Sequence, residues 1–117
     1  MKISDSEMEL MNIIWGSESP ATSAGIAESL NTSWSGATIR TFLKRLTEKG
    51  VLKMRRDGKV NYYTPLISRE DYKKMCAEEF INDMYSGSVK NMLAALYGGE
   101  KPTADELREI KDWFENL

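Results

Sequence analysis

The sequence predicts a mostly α-helical protein with one small β-hairpin. Two observations predict it: apolar residues recur at helical spacing through most of the 117 residues, and the spacing changes to alternation only between residues 51 and 64. The length suits a small domain with an appendage. We predict a first domain at residues 1–67, which contains the hairpin, and a second, purely helical domain at residues 68–117.

Composition argues against an enzyme and against a metal site. The chain is 41% hydrophobic and 29% charged, which is typical of globular proteins. It has no histidine, so the usual general base near neutral pH and the commonest zinc ligand are both missing. The single cysteine, Cys76, excludes an internal disulfide. Its position in an apolar stripe favours a buried structural thiol over a redox sensor. We expect no cofactor.

The sequence also predicts a cytoplasmic location. No run of about 18 apolar residues could cross a membrane. The first five residues, M-K-I-S-D, contain an acid and no apolar segment of the kind that a secretory signal needs.

The first helix is predicted from about Asp5 to Trp15. Ser4 and Glu7 have the spacing of a capping box, in which each side chain accepts a hydrogen bond from the other residue's backbone. After a turn at residues 16–20, Thr22 can cap a short helix that reaches about Leu30. Residues 31–33 break that helix before the next one begins.

The third helix, predicted over residues 35–49, has two contrasting faces. Ser35 can cap its start, and Gly50 suits the left-handed position past its end. The residues at 39, 42, 43 and 46 are apolar and lie on one face. The other face carries Ala37, Thr41, Lys44 and Glu48, with Arg40 and Arg45 on its flanks. The predicted core of the first domain comprises Met11, Trp15, Ile26, Leu30, Ile39, Leu43 and Leu46.

A basic hairpin follows this helix. Residues 51–55 and 60–64 alternate as strands do, the Asp57-Gly58 pair between them favours a tight turn, and Pro65 ends the second strand. A short helix, a break, a second helix and a hairpin make a winged helix-turn-helix. Residues 40–59 carry eight basic side chains against two acidic ones, a local charge of +6 in a chain of net charge −2. This predicts duplex DNA as partner, with helix 35–49 in the major groove and hairpin 51–64 as the wing.

The last three helices are predicted to make a homodimer. They begin near Ser68, Ser88 and Thr103, and each has an apolar stripe. About fifty residues are too few to form a comfortable core alone, so burial against a second copy is favoured over folding back within a monomer. The predicted dimer interface comprises Tyr72, Phe80, Leu93, Leu96, Ile110 and Phe114.

Three stretches resemble the penicillinase repressor family (BlaI/MecI/CopY type): I-S-D-S-E-M-E-L-M-N-I-I-W at 3–15, W-S-G-A-T-I-R-T-F-L-K-R-L-T-E-K-G at 34–50 and Y-Y-T-P-L-I-S at 62–68. The likeness continues through F-I-N-D-M-Y-S-G at 80–87 to T-A-D-E-L-R-E-I at 103–110. It implies a dimeric winged-helix repressor of transcription that binds a palindromic operator. The implied DNA contacts are Ser35 and Thr38 to phosphates, Arg40, Thr41, Lys44 and Arg45 along the groove, and Arg55, Arg56 and Lys59 in the wing.

Three departures from the family pattern bear on operator and signal. Gly36-Ala37 stands where the family often has Pro-Lys, so a cation at the groove entry is missing. Ala95-Leu96 stands where β-lactam-responsive members have an Asn-Phe bond that is cleaved during induction, so induction by that cleavage is in doubt. The paired cysteines of copper-responsive members are also missing. The sequence does not identify the inducing signal or the target genes.

Two other functions are compatible with parts of the sequence. A winged helix can serve as a protein-interaction module without sequence-specific DNA binding, but such a surface favours exposed aromatics over the cations and hydroxyls seen here. An enzyme could use Asp105, Glu106 and Glu109. These acids lie at a predicted helix start, where capping and the helix dipole already account for them.

Overall fold

The computed structural model describes residues 2–18, 20–30 and 33–117. It has two compact units, Met1–Lys73 and Lys74–Leu117. The mostly helical fold with one hairpin is confirmed. The elements are α1 Asp5–Gly16, β1 Ala21–Thr22, α2 Ser23–Ser29, α3 Gly36–Glu48, β2 Leu52–Asp57, β3 Val60–Pro65, α4 Arg69–Tyr85, α5 Val89–Tyr97 and α6 Ala104–Glu115.

Side-chain caps begin the helices at the predicted places. At α1, Ser4 Oγ accepts from the Glu7 N–H and Glu7 Oε1 accepts from the Ser4 N–H, which completes the capping box. The Thr22 hydroxyl accepts from the Gly25 N–H at the start of α2, and Ser35 Oγ accepts from the Thr38 N–H at the start of α3. Gly50, past the end of α3, has φ +79°, as the left-handed position requires. Of the predicted break at 31–33, residues 31 and 32 lie outside the described residues, as does residue 19 of the predicted turn.

The hairpin belongs to a three-stranded antiparallel sheet of order β1-β3-β2. The two-residue β1 was not predicted; its Ala21 pairs with Tyr63. The predicted turn was wrong by one residue. Asp57 is the last residue of β2 and pairs with Val60, so Gly58 and Lys59 form the turn. Gly58, the first central residue of the turn, has a positive φ of +64°, whereas the φ of Lys59, the second, is not positive. This combination is the pattern of a type II′ turn.

The core of the first unit lies where α1, α2 and α3 meet the sheet. Five of the seven predicted core residues are buried, while Trp15 and Leu30 are partly exposed. Ala27, next to Ile26 on α2, is exposed. The buried residues of the first unit are Ile3, Leu10, Met11, Ile14, Ala21, Ile26, Ile39, Leu43, Leu46, Val51, Leu52, Tyr63 and Tyr72, with Glu7 the one charged member of the group.

The second unit has capped helices and exposed apolar side chains. Ser88 caps α5 and Thr103 caps α6. A hydrogen bond to the Glu106 carboxylate, with some burial, raises the pKa of Tyr97. Cys76 is exposed in the single chain, so the prediction of a buried thiol is wrong there. The large apolar side chains exposed in this unit are Phe80, Met84, Val89, Leu93, Leu96, Leu107, Ile110, Trp113, Phe114 and Leu117.

No helix in the described part of the chain is both long and apolar enough to span a membrane.

Candidate nucleic-acid interface

The solvent-facing side of α3 is held outward by the core. Leu43 and Leu46 are fully buried and fix the inner side of the helix. On the opposite side Ala37, Thr41 and Lys44 are exposed, as the helical spacing predicts. Thr41 donates its hydroxyl hydrogen to the Ala37 carbonyl oxygen at 3.0 Å. That bond leaves the oxygen lone pairs and the methyl group of Thr41 for a partner, and both can meet base edges.

Ser35 and Thr38 form a hydroxyl pair at the N-terminus of α3. Ser35 Oγ accepts from the Thr38 N–H at 3.1 Å and lies 3.0 Å from Thr38 Oγ1. Ser35 is exposed and Thr38 is half-buried. The positive end of the helix dipole acts here, so an anionic phosphate oxygen is favoured at this end of α3.

Arg40 and Lys44 line a cleft between α3 and the hairpin. The cleft has a volume of about 300 Å³ and is also bordered by Met54, Asn61 and Tyr63. A second cleft, bordered by Arg40, Asn61 and Lys59, extends to the start of α2. The predicted groove residue Arg40 therefore borders both clefts, with Lys44 in the first and Lys59 of the predicted wing set in the second.

Asn61 was missed by the sequence analysis although it borders both clefts. It is half-buried on β3, directly opposite Arg56 in the hairpin register. An asparagine amide can form a bidentate pair with adenine. The alternating pattern of residues 60–64 placed Asn61 on a strand, but only the observed register shows which face of that strand meets α3.

The Arg40 guanidinium also lies over the start of α3. A Cβ built on Gly36 would lie 3.2 Å from Arg40 Nη1, so the missing side chain leaves the room that this group occupies. A cation is thus present near the groove entry, where the family resemblance predicted a deficit.

Arg45 lies on the other flank of α3, next to aromatic rings. Its guanidinium carbon is 5.7 Å from the centre of the Phe42 ring, which is itself 5.2 Å from the Trp34 ring. Such stacking limits the conformations of a long exposed side chain. The predicted groove cations are therefore divided, with Arg40 and Lys44 toward the hairpin and Arg45 over the aromatic pair.

The hairpin cations are oriented by contacts within the hairpin. The Arg55 guanidinium lies 4.9 Å from the centre of the Tyr62 ring on the opposite strand and 3.9 Å from Asp57 Oδ2. Arg56 donates from Nε to the Gly58 carbonyl oxygen at 3.0 Å. Both arginines remain exposed. Asp57 offsets part of the charge of Arg55, so Arg56 and Lys59 contribute more of the positive field at this end.

The family model of the penicillinase repressor matches residues 3–116, nearly the whole chain. The chain belongs to the penicillinase repressor family. It is 36% identical over 110 residues to the penicillinase repressor of Bacillus licheniformis, covering 93% of this chain and 86% of that one. It is 32% identical over 112 residues to the methicillin resistance regulatory protein MecI of Staphylococcus aureus, covering 95% and 91%.

Solved structures of DNA-binding members of the family match about three fifths of the chain. The DNA-binding domain of the repressor BlaI is 40% identical with a TM-score of 0.55, covering 61% of this chain and 88% of that one. The monomeric form of Bacillus licheniformis BlaI, solved in complex with the blaP half-operator, is 39% identical with a TM-score of 0.52, covering 62% and 89%. The winged-helix prediction is confirmed. Penicillinase repressors are DNA-binding regulators rather than enzymes, so the prediction against an enzyme is confirmed as well.

Proposed function

We propose that this penicillinase repressor family member is a dimeric, sequence-specific repressor that binds a palindromic operator. In this proposal α3 lies in the major groove and the β2–β3 hairpin is the wing. The observation that carries it is the exposed side of α3 beside the hairpin. Lys44 borders one cleft with Asn61 of β3, and Arg40 borders a second cleft with the hairpin cation Lys59. The BlaI complex with a half-operator supports the same use of the equivalent domain.

The site divides into groups that hold the DNA backbone and groups that reach base edges. Ser35 and Thr38 at the N-terminus of α3 suit phosphates, as do Arg55, Arg56 and Lys59 of the hairpin. On α3, Arg40, Thr41, Lys44 and Arg45 follow the groove, and the exposed side that carries Thr41 and Lys44 suits base edges. Asn61 joins this group because it borders the same cleft as Lys44.

The second unit suits a homodimer. Leu96 and Phe114 expose 72% and 68% of their surface in the single chain, and Phe80, Leu93 and Ile110 are also exposed. An apolar surface of this extent favours burial against a second copy. Tyr72 is left out of the proposed interface because it is already buried and its ring packs on Trp15 in the first unit. Two copies supply two groove helices for two half-sites.

An upstream sensor or protease stays a further proposed partner, as the family resemblance implies. We expect the protein to act in the cytoplasm, where its DNA target lies.

Selection of bound duplexes from a random DNA pool tests this function. The expected result is enrichment of one inverted repeat by the full-length protein. Lys44→Ala should change or abolish the enriched sequence, whereas Lys74→Ala, which removes an exposed cation from α4, should enrich the same one. Failure to enrich any sequence, with the folded protein present, would leave the protein-interaction module as the better account.

A further inference from the structure

Lys49 lies within the basic segment, yet its side chain points to the N-terminal part of the chain. Its ammonium nitrogen is 2.6 Å from Glu7 Oε1 and donates a second hydrogen bond to the Lys2 carbonyl oxygen at 2.8 Å. The Glu7 side chain is 2% exposed, whereas that of Lys49 is 36% exposed. Among the ion pairs of the described residues, this one alone contains a buried group, and it joins residues 42 positions apart.

The backbone of Lys49 marks the end of α3 and the approach to the hairpin. Its N–H donates to the Arg45 carbonyl oxygen and the Gly50 N–H donates to the Thr47 carbonyl oxygen, which together cap the end of the helix. Gly50 then turns the chain, and the Val51 N–H returns to the Leu46 carbonyl oxygen before β2 begins. A side-chain tie at Lys49 therefore restrains both the C-terminal end of α3 and the origin of the hairpin.

The ionised form of the buried Glu7 carboxylate is stabilised by Lys49. Oε1 accepts from the Ser4 N–H and from Lys49, while Oε2 is buried without a partner among the described residues. Burial alone opposes ionisation, but the Lys49 ammonium and the Ser4 hydrogen bonds outweigh it and lower the pKa of Glu7 below 4.5. The Glu7 carboxylate is therefore ionised at neutral pH, and its contact with Lys49 acts as a fixed restraint.

We propose that Glu7 and Lys49 are positioning residues for operator reading, an inference that rests on the proposed function. By tying the end of α3 to the start of α1, they hold Lys44 and the hairpin at the angle that lets both meet one DNA site. Side chains that read a ligand must be held to within about half an ångström by supporting contacts of this kind. Lys49 is accordingly not a phosphate contact, although its sequence position lies in the basic segment.

Binding of Glu7→Gln and Lys49→Gln to operator and scrambled duplexes, across salt concentrations, tests the inference. Each variant is measured at a temperature where circular dichroism shows it fully folded. Operator binding should weaken roughly tenfold, the equivalent of one partly lost base contact, with little change on scrambled DNA. The double variant should be no weaker than either single variant because the two side chains act as one unit. The slope of log affinity against log salt should stay at the wild-type value.

Arg56→Gln is the matched control, since the proposed function makes Arg56 a phosphate contact. It should weaken operator and scrambled DNA alike and reduce the salt slope by about 0.9 per protomer. Lys49→Arg, which keeps the charge beside Glu7, should recover most of the operator preference and keeps the test usable if a glutamine variant does not fold.

Two results would overturn the inference. Lys49→Gln behaving like Arg56→Gln would make Lys49 a phosphate contact. If folded Glu7→Gln and Lys49→Gln kept the wild-type ratio of operator affinity to scrambled affinity, the pair would only stabilise the fold. Either result leaves the proposed function intact, whereas wild-type protein that binds no selected duplex would refute the function itself.

Discussion

The Trp15 indole donates a hydrogen bond from Nε1 to the Ile67 carbonyl oxygen at 2.9 Å, which joins the end of α1 to the segment just before α4. Two side chains from the first turn of α4 complete the contact. The Arg69 guanidinium lies 5.6 Å from the centre of the Trp15 ring, and the Tyr72 ring lies 5.8 Å from it. The start of α4 therefore packs with the winged helix, consistent with a compact first unit that extends to Lys73.

A fragment of residues 1–73 should accordingly be more stable than one of residues 1–67. The shorter fragment lacks Tyr72, whose burial is worth about 1.5–3 kcal/mol, and the Arg69 contacts. Urea unfolding of both fragments measures the difference. Tyr72→Ala in the longer fragment is the control and should remove most of the advantage. Equal stability of the two fragments would instead favour the predicted domain boundary after residue 67.

The helices could be predicted from sequence because their determinants are local. A cap such as Ser4 or Ser35 acts on an N–H three residues away, and the apolar spacing of α3 repeats within the helix itself. The two-residue β1 is too short to show any period. The turn at Gly58 was misplaced by one residue because the register is decided by pairs along both strands, which the Asp57-Gly58 dipeptide does not encode.

The site could be predicted only in part, for the same reason. The outward side of α3 follows from helical spacing, so Thr41 and Lys44 were found. Lys49 looks like any other surface cation because its partner Glu7 is 42 positions away. Asn61 was missed because its role depends on which strand face meets α3.

Substitutions in the groove helix should change sequence preference, whereas substitutions in the wing should weaken binding to every sequence. Lys44→Ala should cost about 1–3 kcal/mol on the selected operator and relax sequence preference, because it removes a contact to a base edge. Arg56→Ala should weaken binding to all sequences alike, because a phosphate contact carries no sequence information. Parallel titrations of operator and scrambled DNA measure both effects. An unchanged operator-to-scrambled ratio for Lys44→Ala would refute its assigned role.

The buried carboxylate predicts how stability depends on pH. In the folded state the pKa of Glu7 is lowered below its usual value of 4.5. The ionised carboxylate therefore makes its full contribution to the free energy of unfolding above that value, and the contribution is lost as pH falls through the lower folded-state pKa. Glu7→Gln should lower the free energy of unfolding by about 1–3 kcal/mol at pH 7. The loss stays in this range because the partly exposed Lys49 can regain water. The difference from wild type should shrink in acid.

Urea unfolding of both proteins at pH 7 and near pH 3 measures this dependence. Glu9→Gln, an exposed change in the same helix, is the control and should have little effect at either pH. A Glu7→Gln deficit that persists undiminished at low pH would contradict the linkage.

The dimer should dissociate when a charge is placed in its proposed interface. Leu96→Asp would bury an unpaired carboxylate between the two copies, so it should favour monomers. Asn91→Asp adds the same charge to an exposed position of α5 and should leave association unchanged. Sedimentation equilibrium at tens of micromolar distinguishes the species. A wild-type protein that stays monomeric there would refute both the dimer and the palindromic operator.

The most direct test of the central proposal is the salt dependence of binding to the selected operator, followed by fluorescence anisotropy. Neutralisation of roughly six phosphates per dimer predicts a slope of log affinity against log salt of about −5. A scrambled duplex should bind more weakly over the same range, because it keeps the phosphates and loses the base contacts. A protein that binds no selected duplex, even at low salt, would contradict a DNA-binding repressor.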